Sequence, residues 1–216
     1  MVDIFDEVDE DLRADRAADL LKRYGGLIIA AAVLIVGATG GWQAWRWWQA
    51  RQDTQAGMAF TAAMTAAETG GAARDAAALP FEEIAASAPE GYRVLARLRA
   101  AAAKASSGDL PGAAVLWDQV AADTAADPLL RDLASLSWAA RQIDTGDPAA
   151  LEARLRPLTE PGNPWRSLAQ EQLALLDLRQ GKTAAARDVF TRLAADPTAP
   201  RGVRGRASAL LGRLGG

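Results

Sequence analysis

The chain has 216 residues with 24 Lys and Arg against 27 Asp and Glu, a formal net charge of -3, and neither histidine nor cysteine. That composition excludes disulfides, thiolate nucleophiles, Ser-His and Cys-His triads, imidazole bases and the usual zinc ligand sets. Half the residues are apolar; alanine, a strong helix former of small volume, is so frequent among them that closely packed helices with few large side chains are expected.

Residues 1–23 carry eight acids and four bases, so this leader sums to -4 and the chain after residue 45 to +1. Ile4 or Phe5, Val8, Leu12, Leu20 and Leu21 recur among the acids at near-helical spacing, which predicts a short amphipathic helix. Tyr24 to Trp45, YGGLIIAAAVLIVGATGGWQAW, then runs for 22 residues without a charge. As a helix it reaches about 33 Å, enough for the hydrocarbon of a bilayer. Tyr24 stands at one edge, and Trp42, Trp45, Trp47 and Trp48 crowd the other, at the depth where amphipathic rings settle among lipid headgroups. A buried core helix would normally be shorter. A cleaved signal peptide would have a short basic leader rather than a long acidic one. Arg13, Arg16, Lys22 and Arg23 precede the span while only Arg46 and Arg51 closely follow it, so the N-terminus is expected in the cytoplasm and the C-terminal domain outside. Gly37 and Gly41 form a GxxxG, a spacing that lets membrane helices approach and leaves homo-oligomerisation open.

Gln49 to Glu68 has helical composition and is expected as a stalk that Gly70-Gly71 breaks. Leu79-Pro80 opens a short helix through Ser87, closed by Pro89-Glu90-Gly91. No segment alternates like a strand. The expected fold class is therefore all-α. Its organisation is a cytoplasmic leader (1–23), a transmembrane helix (24–45), a stalk with the first helices (46–90), and helical repeats with a C-terminal capping helix (91–216).

The repeats show when Gly108, Gly146 and Gly181, spaced 38 and 35 apart, are aligned. Twelve residues before the glycine stand Ala96, Ala134 and Ala169; seven before, Ala101, Ala139 and Ala174. Five after are Ala113, Leu151 and Ala186; nine after, Trp117, Leu155 and Phe190; twelve after, Val120, Leu158 and Leu193. Pro128, Pro164 and Pro200 open the following units. Each unit reads as a helical hairpin: small residues admit the second helix, a larger one fills the groove between them, and the glycine ends the first helix in a left-handed conformation. Such hairpins stack into a solenoid, with 201–214 as its cap.

The order of Ala101, Gly108, Ala113 and Trp117, and of Ala174, Gly181, Ala186 and Phe190, resembles tetratricopeptide repeats. The early tryptophan and mid-helix tyrosine are missing, and leucine replaces two expected residues in the middle unit. The whole layout, an acidic FDEVDEDLRADR leader, a KRYG boundary, one apolar helix ending in GWQAWRWW and a repeat domain from GYRVLARLRAAAA, resembles the ancillary SecYEG translocon subunit family, the YfgM-like proteins. That resemblance implies an inner-membrane protein with a periplasmic repeat domain. The partners it implies are the SecYEG translocon and a membrane-anchored periplasmic prolyl-isomerase-like chaperone.

The candidate protein-binding residues are a column of arginines, Arg93, Arg131 and Arg166, and Trp138. Arg131 and Arg166 fall in the first turn of their helices, where a cation opposes the dipole. The arginines are expected either to pack against the preceding unit or to form a basic stripe for an acidic partner. Trp138 replaces a smaller residue of its column and could reach a groove. Tyr92, Leu130 and Trp165 read as inter-repeat packing. Arg201, Arg204, Arg206 and Arg213 lack interleaved aromatics, so no nucleic-acid partner is expected. Nothing makes carboxylates such as Glu82 and Glu83 converge, so no catalytic, cofactor or metal site is expected. The leading expectation is a membrane-anchored protein-binding scaffold at the translocon; the alternative is a self-assembling protein that organises the envelope.

Overall fold

A computed structural model describes residues 4–69 and 77–215, with side chains from 22 to 68 and from 77 to 215. The described residues are helical and contain no strand. The chain divides into two compact units, Met1–Gln52 and Asp53–Gly216.

The first unit holds most of helix α1, Ile4–Thr69. The leader is helical in its backbone from Ile4, while its proposed amphipathic faces lie outside the described side chains. Leu27, Ile28, Ile29, Val33, Leu34, Ile35 and Val36 are all exposed, as are Tyr24 and the four tryptophans. Within this belt Trp42 and Trp45 touch with centroids 5.5 Å apart, and the Arg51 guanidinium lies 3.8 Å from the Trp47 ring centroid.

Among its described residues, the second unit contains the end of α1 and eight further α-helices: α2 (Leu79–Ser87), α3 (Glu90–Ser107), α4 (Leu110–Ala122), α5 (Pro128–Gln142), α6 (Pro148–Leu155), α7 (Arg166–Arg179), α8 (Thr183–Ala195) and α9 (Arg201–Gly215). A 3₁₀ turn, Arg156–Thr159, prolongs α6. The expected hairpins are α3–α4, α5–α6 and α7–α8, and α9 covers the last. Every residue of the five aligned columns is buried. Ala101, Ala139 and Ala174 are fully shielded where the second helix approaches, and Trp117, Leu155 and Phe190 fill the space between the helices. Tyr92, Leu130 and Trp165 pack between units as expected. Trp165 adds a reach across the repeat, its Nε1 donating to the Leu129 carbonyl at 3.1 Å.

The turn glycines differ from one another. Gly108 and Gly181 have φ of 96° and 77°, the left-handed conformation expected. Gly146 does not share it, which corrects that expectation for the middle hairpin. Its N–H donates to the Gln142 carbonyl at 2.7 Å, and a Cβ there would sit 2.8 Å from the same oxygen. Glycine is required at 146 by close approach rather than by φ.

Helix starts follow side-chain chemistry. Asp109, Asp127 and Asp147 precede α4, α5 and α6 and accept backbone N–H bonds from Gly112, Leu129 and Ala150. A proline stands in the first turn of each of these helices. Pro164 and Pro200 instead lie just ahead of α7 and α9.

The end of α1 also belongs to this packing. Ala56 and Ala63 are buried with Phe81 and Ile84 of α2 and Ala96 and Ala100 of α3, with Phe60, Met64 and Tyr92 alongside. Phe60 lies 5.7 Å from Phe81 and 6.2 Å from Tyr92 between ring centroids. From Asp53 onward, the segment expected as a stalk therefore forms with α2 another helical pair on the front of the repeats.

Candidate protein-binding groove

The first helices of the hairpins expose a shared face, because the small residues at twelve and seven before each glycine turn inward. The residues at thirteen, nine and six before it fall on another side of the helix. In α3 these are Leu95, Arg99 and Ala102, and in α5 they are Leu133, Ser137 and Ala140. Together with Phe60, Leu98, Leu130, Trp117 and Arg141 they line a groove of about 510 Å³. Its floor is apolar, and its charged lining residues are the two arginines. Arg99 and Arg141 are exposed, and among the described residues neither has a carboxylate within salt-bridge distance.

The face continues in both directions. Toward α1, Arg99 and Ala102 also line a smaller depression with Met64, Glu68, Phe81 and Ser106. Toward the C-terminus, Ala140 is shared with a depression formed by Ile143, Leu175, Leu210, Arg213 and the Glu171–Arg206 pair. Glu171 is buried to 2 % exposure, and Arg206 meets it in a fork: Nε donates to Oε1 and Nη2 to Oε2, each at 2.6 Å. The paired carboxylate holds the Arg206 pKa above its already high ordinary value. The fork fastens α9 to α7 and closes that end of the face.

The arginine column lies elsewhere. Arg93 donates to the Ala88 carbonyl at 3.4 Å. Arg131 is half-buried, with its Nε enclosed and unbonded. Arg166 begins α7 on the surface. Trp138 is half-buried between the clusters of the first two hairpins, with the Arg154 guanidinium 4.1 Å from its ring centroid. Arg154 in turn pairs with Asp118 at 2.6 Å. None of these four lines the groove. The signal for Arg99 was available in the same alignment, since it shares the face of Leu95 and Ala102. Arg141 falls at five before its glycine, where no column exists, and only packing brings it to the rim.

Among the described residues no cluster of acidic side chains could hold a metal ion. One helical stretch, Lys22–Glu68, is long and apolar enough to cross a membrane, and its most apolar window is entirely unburied.

Stacked hairpins presenting an open apolar face define an α-helical repeat module of the protein-interaction kind. The chain belongs to the tetratricopeptide repeat-like domain family, whose model matches residues 19–198. The match takes in the apolar helix as well as the repeats. Comparisons with curated proteins and with solved structures returned no match.

Proposed function

We propose that this protein is a membrane-anchored scaffold whose repeat domain holds a protein partner beside the translocation machinery. The observation that carries the reading is the combination, inside one family match, of an uncovered apolar helix with a repeat domain that leaves a groove open. An apolar run of this length left bare in water would be a severe liability, whereas lipid satisfies it. The basic residues ahead of the span support a cytoplasmic N-terminus and an external, periplasmic repeat domain. Anchoring confines the groove near the membrane, and weak contacts gain from that local concentration. The layout from the acidic leader to the repeats supports SecYEG and its associated prolyl-isomerase-like chaperone as the neighbours.

The test is a photo-crosslinking residue at Ser137, in the groove, activated in native membranes of cells producing the full chain. Adducts with translocon subunits, the chaperone or emerging secretory chains are expected. Adducts consisting mainly of second copies of this chain would favour the self-assembling alternative and overturn the scaffold reading.

A further inference from the structure

We propose that the α1–α3–α5 groove selects a partner segment that is amphipathic and acidic, its apolar side chains on the groove floor and its carboxylates on Arg99 and Arg141. The inference rests on the scaffold reading and adds the chemistry of what is held. The floor, with Leu95, Leu98, Leu130 and Leu133 around Phe60, offers sites for large apolar side chains and few polar groups to orient them. Orientation and selectivity must then come from the rim, whose charges are the two arginines.

What sets these two cations apart is their place on the groove, since the paired cations of the repeat domain do not line it. Arg97 pairs with Asp123, Lys104 with Glu82 and Asp109, Arg154 with Asp118, and Arg206 with Glu171. Among the described residues Arg99 and Arg141 have no such partner, and they stand over an apolar surface. A guanidinium there can donate a fork of two N–H bonds to a carboxylate, and a lysine-bearing segment would meet like charge instead. Glu68 lines the adjoining depression with Arg99, so the preference should be strongest toward α5. The occupant we commit to is a segment of a different protein. The chain's own acidic leader has similar chemistry, but the proposed topology puts it across the membrane.

The experiment uses the full chain in nanodiscs of zwitterionic lipid and follows the anisotropy of three fluorescein-labelled helical peptides. One carries leucines on one face and glutamates elsewhere; the second has lysines for the glutamates; the third has serines for the leucines. The leucine–glutamate peptide is expected to bind about 10-fold tighter than the leucine–lysine peptide, as two partly exposed ion pairs would give. The serine peptide should bind weakly. In the double variant Arg99→Glu, Arg141→Glu, whose exposed positions leave the fold intact by circular dichroism, the preference should invert. Leu133→Lys should weaken the leucine–glutamate peptide through the floor.

Equal affinity for the two leucine peptides, or a preference unchanged by the double reversal, would overturn the inference. If Ser137 still crosslinks to translocon components in that case, the scaffold reading survives alone. If neither leucine peptide binds and the crosslinks vanish too, both fall. Crosslinks ending in residues 1–23 of another copy would overturn the commitment to a different protein.

Discussion

Gly57 shows how closely the end of α1 is seated on the repeats. A Cβ there would lie 2.7 Å from the Tyr92 hydroxyl oxygen and 3.3 Å from its Cζ, while the Tyr92 ring is held beside Phe60. Overpacking at such a contact costs about 1–3 kcal/mol. Gly57→Ala should therefore lower the stability of the repeat domain by that order in urea unfolding. Tyr92→Phe removes the closest atom, so the double variant should recover part of the loss; additive losses would show that α1 is not seated at this contact. Gly108 makes the complementary case. With φ at 96° and open space around a would-be Cβ, its constraint is conformational alone. Gly108→Ala should cost about 1 kcal/mol and Gly108→Asn less, because asparagine tolerates the left-handed region better. Equal losses by thermal unfolding would sink that account.

At the level of elements, the hairpins were legible in the sequence because their helices meet through columns of small and large residues, and such columns need no tertiary information to be seen. The pair formed by α1 and α2 was not. Gly70 does stand 38 residues before Gly108 with Ala63 seven before it, but Met58 at twelve before and Asp75 and Glu82 at five and twelve after break the columns, and Ala56 and Ala63 look no different from the exposed alanines around them. The Glu171–Arg206 fork was equally invisible, since it joins positions 35 apart that fall in no shared column. Its consequence is specific to α9. Arg206→Ala strands a buried carboxylate, and breaking such a pair costs about 3 kcal/mol, less where solvent reaches the arginine as it does here. Faster amide exchange in α9 than in α4 is the expected reading, and Glu171→Leu combined with Arg206→Leu should restore much of the protection.

The start of α4 adds a pH dependence of known sign. The Gly112 N–H, and after it Lys104, hold the Asp109 carboxyl below the ordinary carboxylate range. A depressed pKa means that the stabilisation is complete above that range and lost as pH falls through the folded value. Asp109→Asn keeps a capping oxygen but has no charge to lose. The wild-type chain should thus be the more stable of the two at neutral pH, with the gap closing in acid. A gap that stays constant in thermal melts across that range would refute it.

At the scale of the whole molecule, the two units should respond to mutation independently, which separates a lipid anchor from a surface helix. Leu34 and Ile35 stand at the middle of the apolar run and are both exposed. In a chain without a membrane, arginine at these places would be nearly neutral, as it is on most exposed helix surfaces. At the centre of a bilayer each arginine costs about 2.5–3.5 kcal/mol of insertion free energy, so two approach the whole advantage of a moderately apolar span. Leu34→Arg with Ile35→Arg should move the chain from the carbonate-resistant membrane fraction to the soluble or degraded one. The repeat domain's own unfolding transition, followed in detergent, should stay where it was, because no residue of its core is touched. Membrane retention of the double variant would remove the anchor and, with it, the reason for placing the groove beside the translocon.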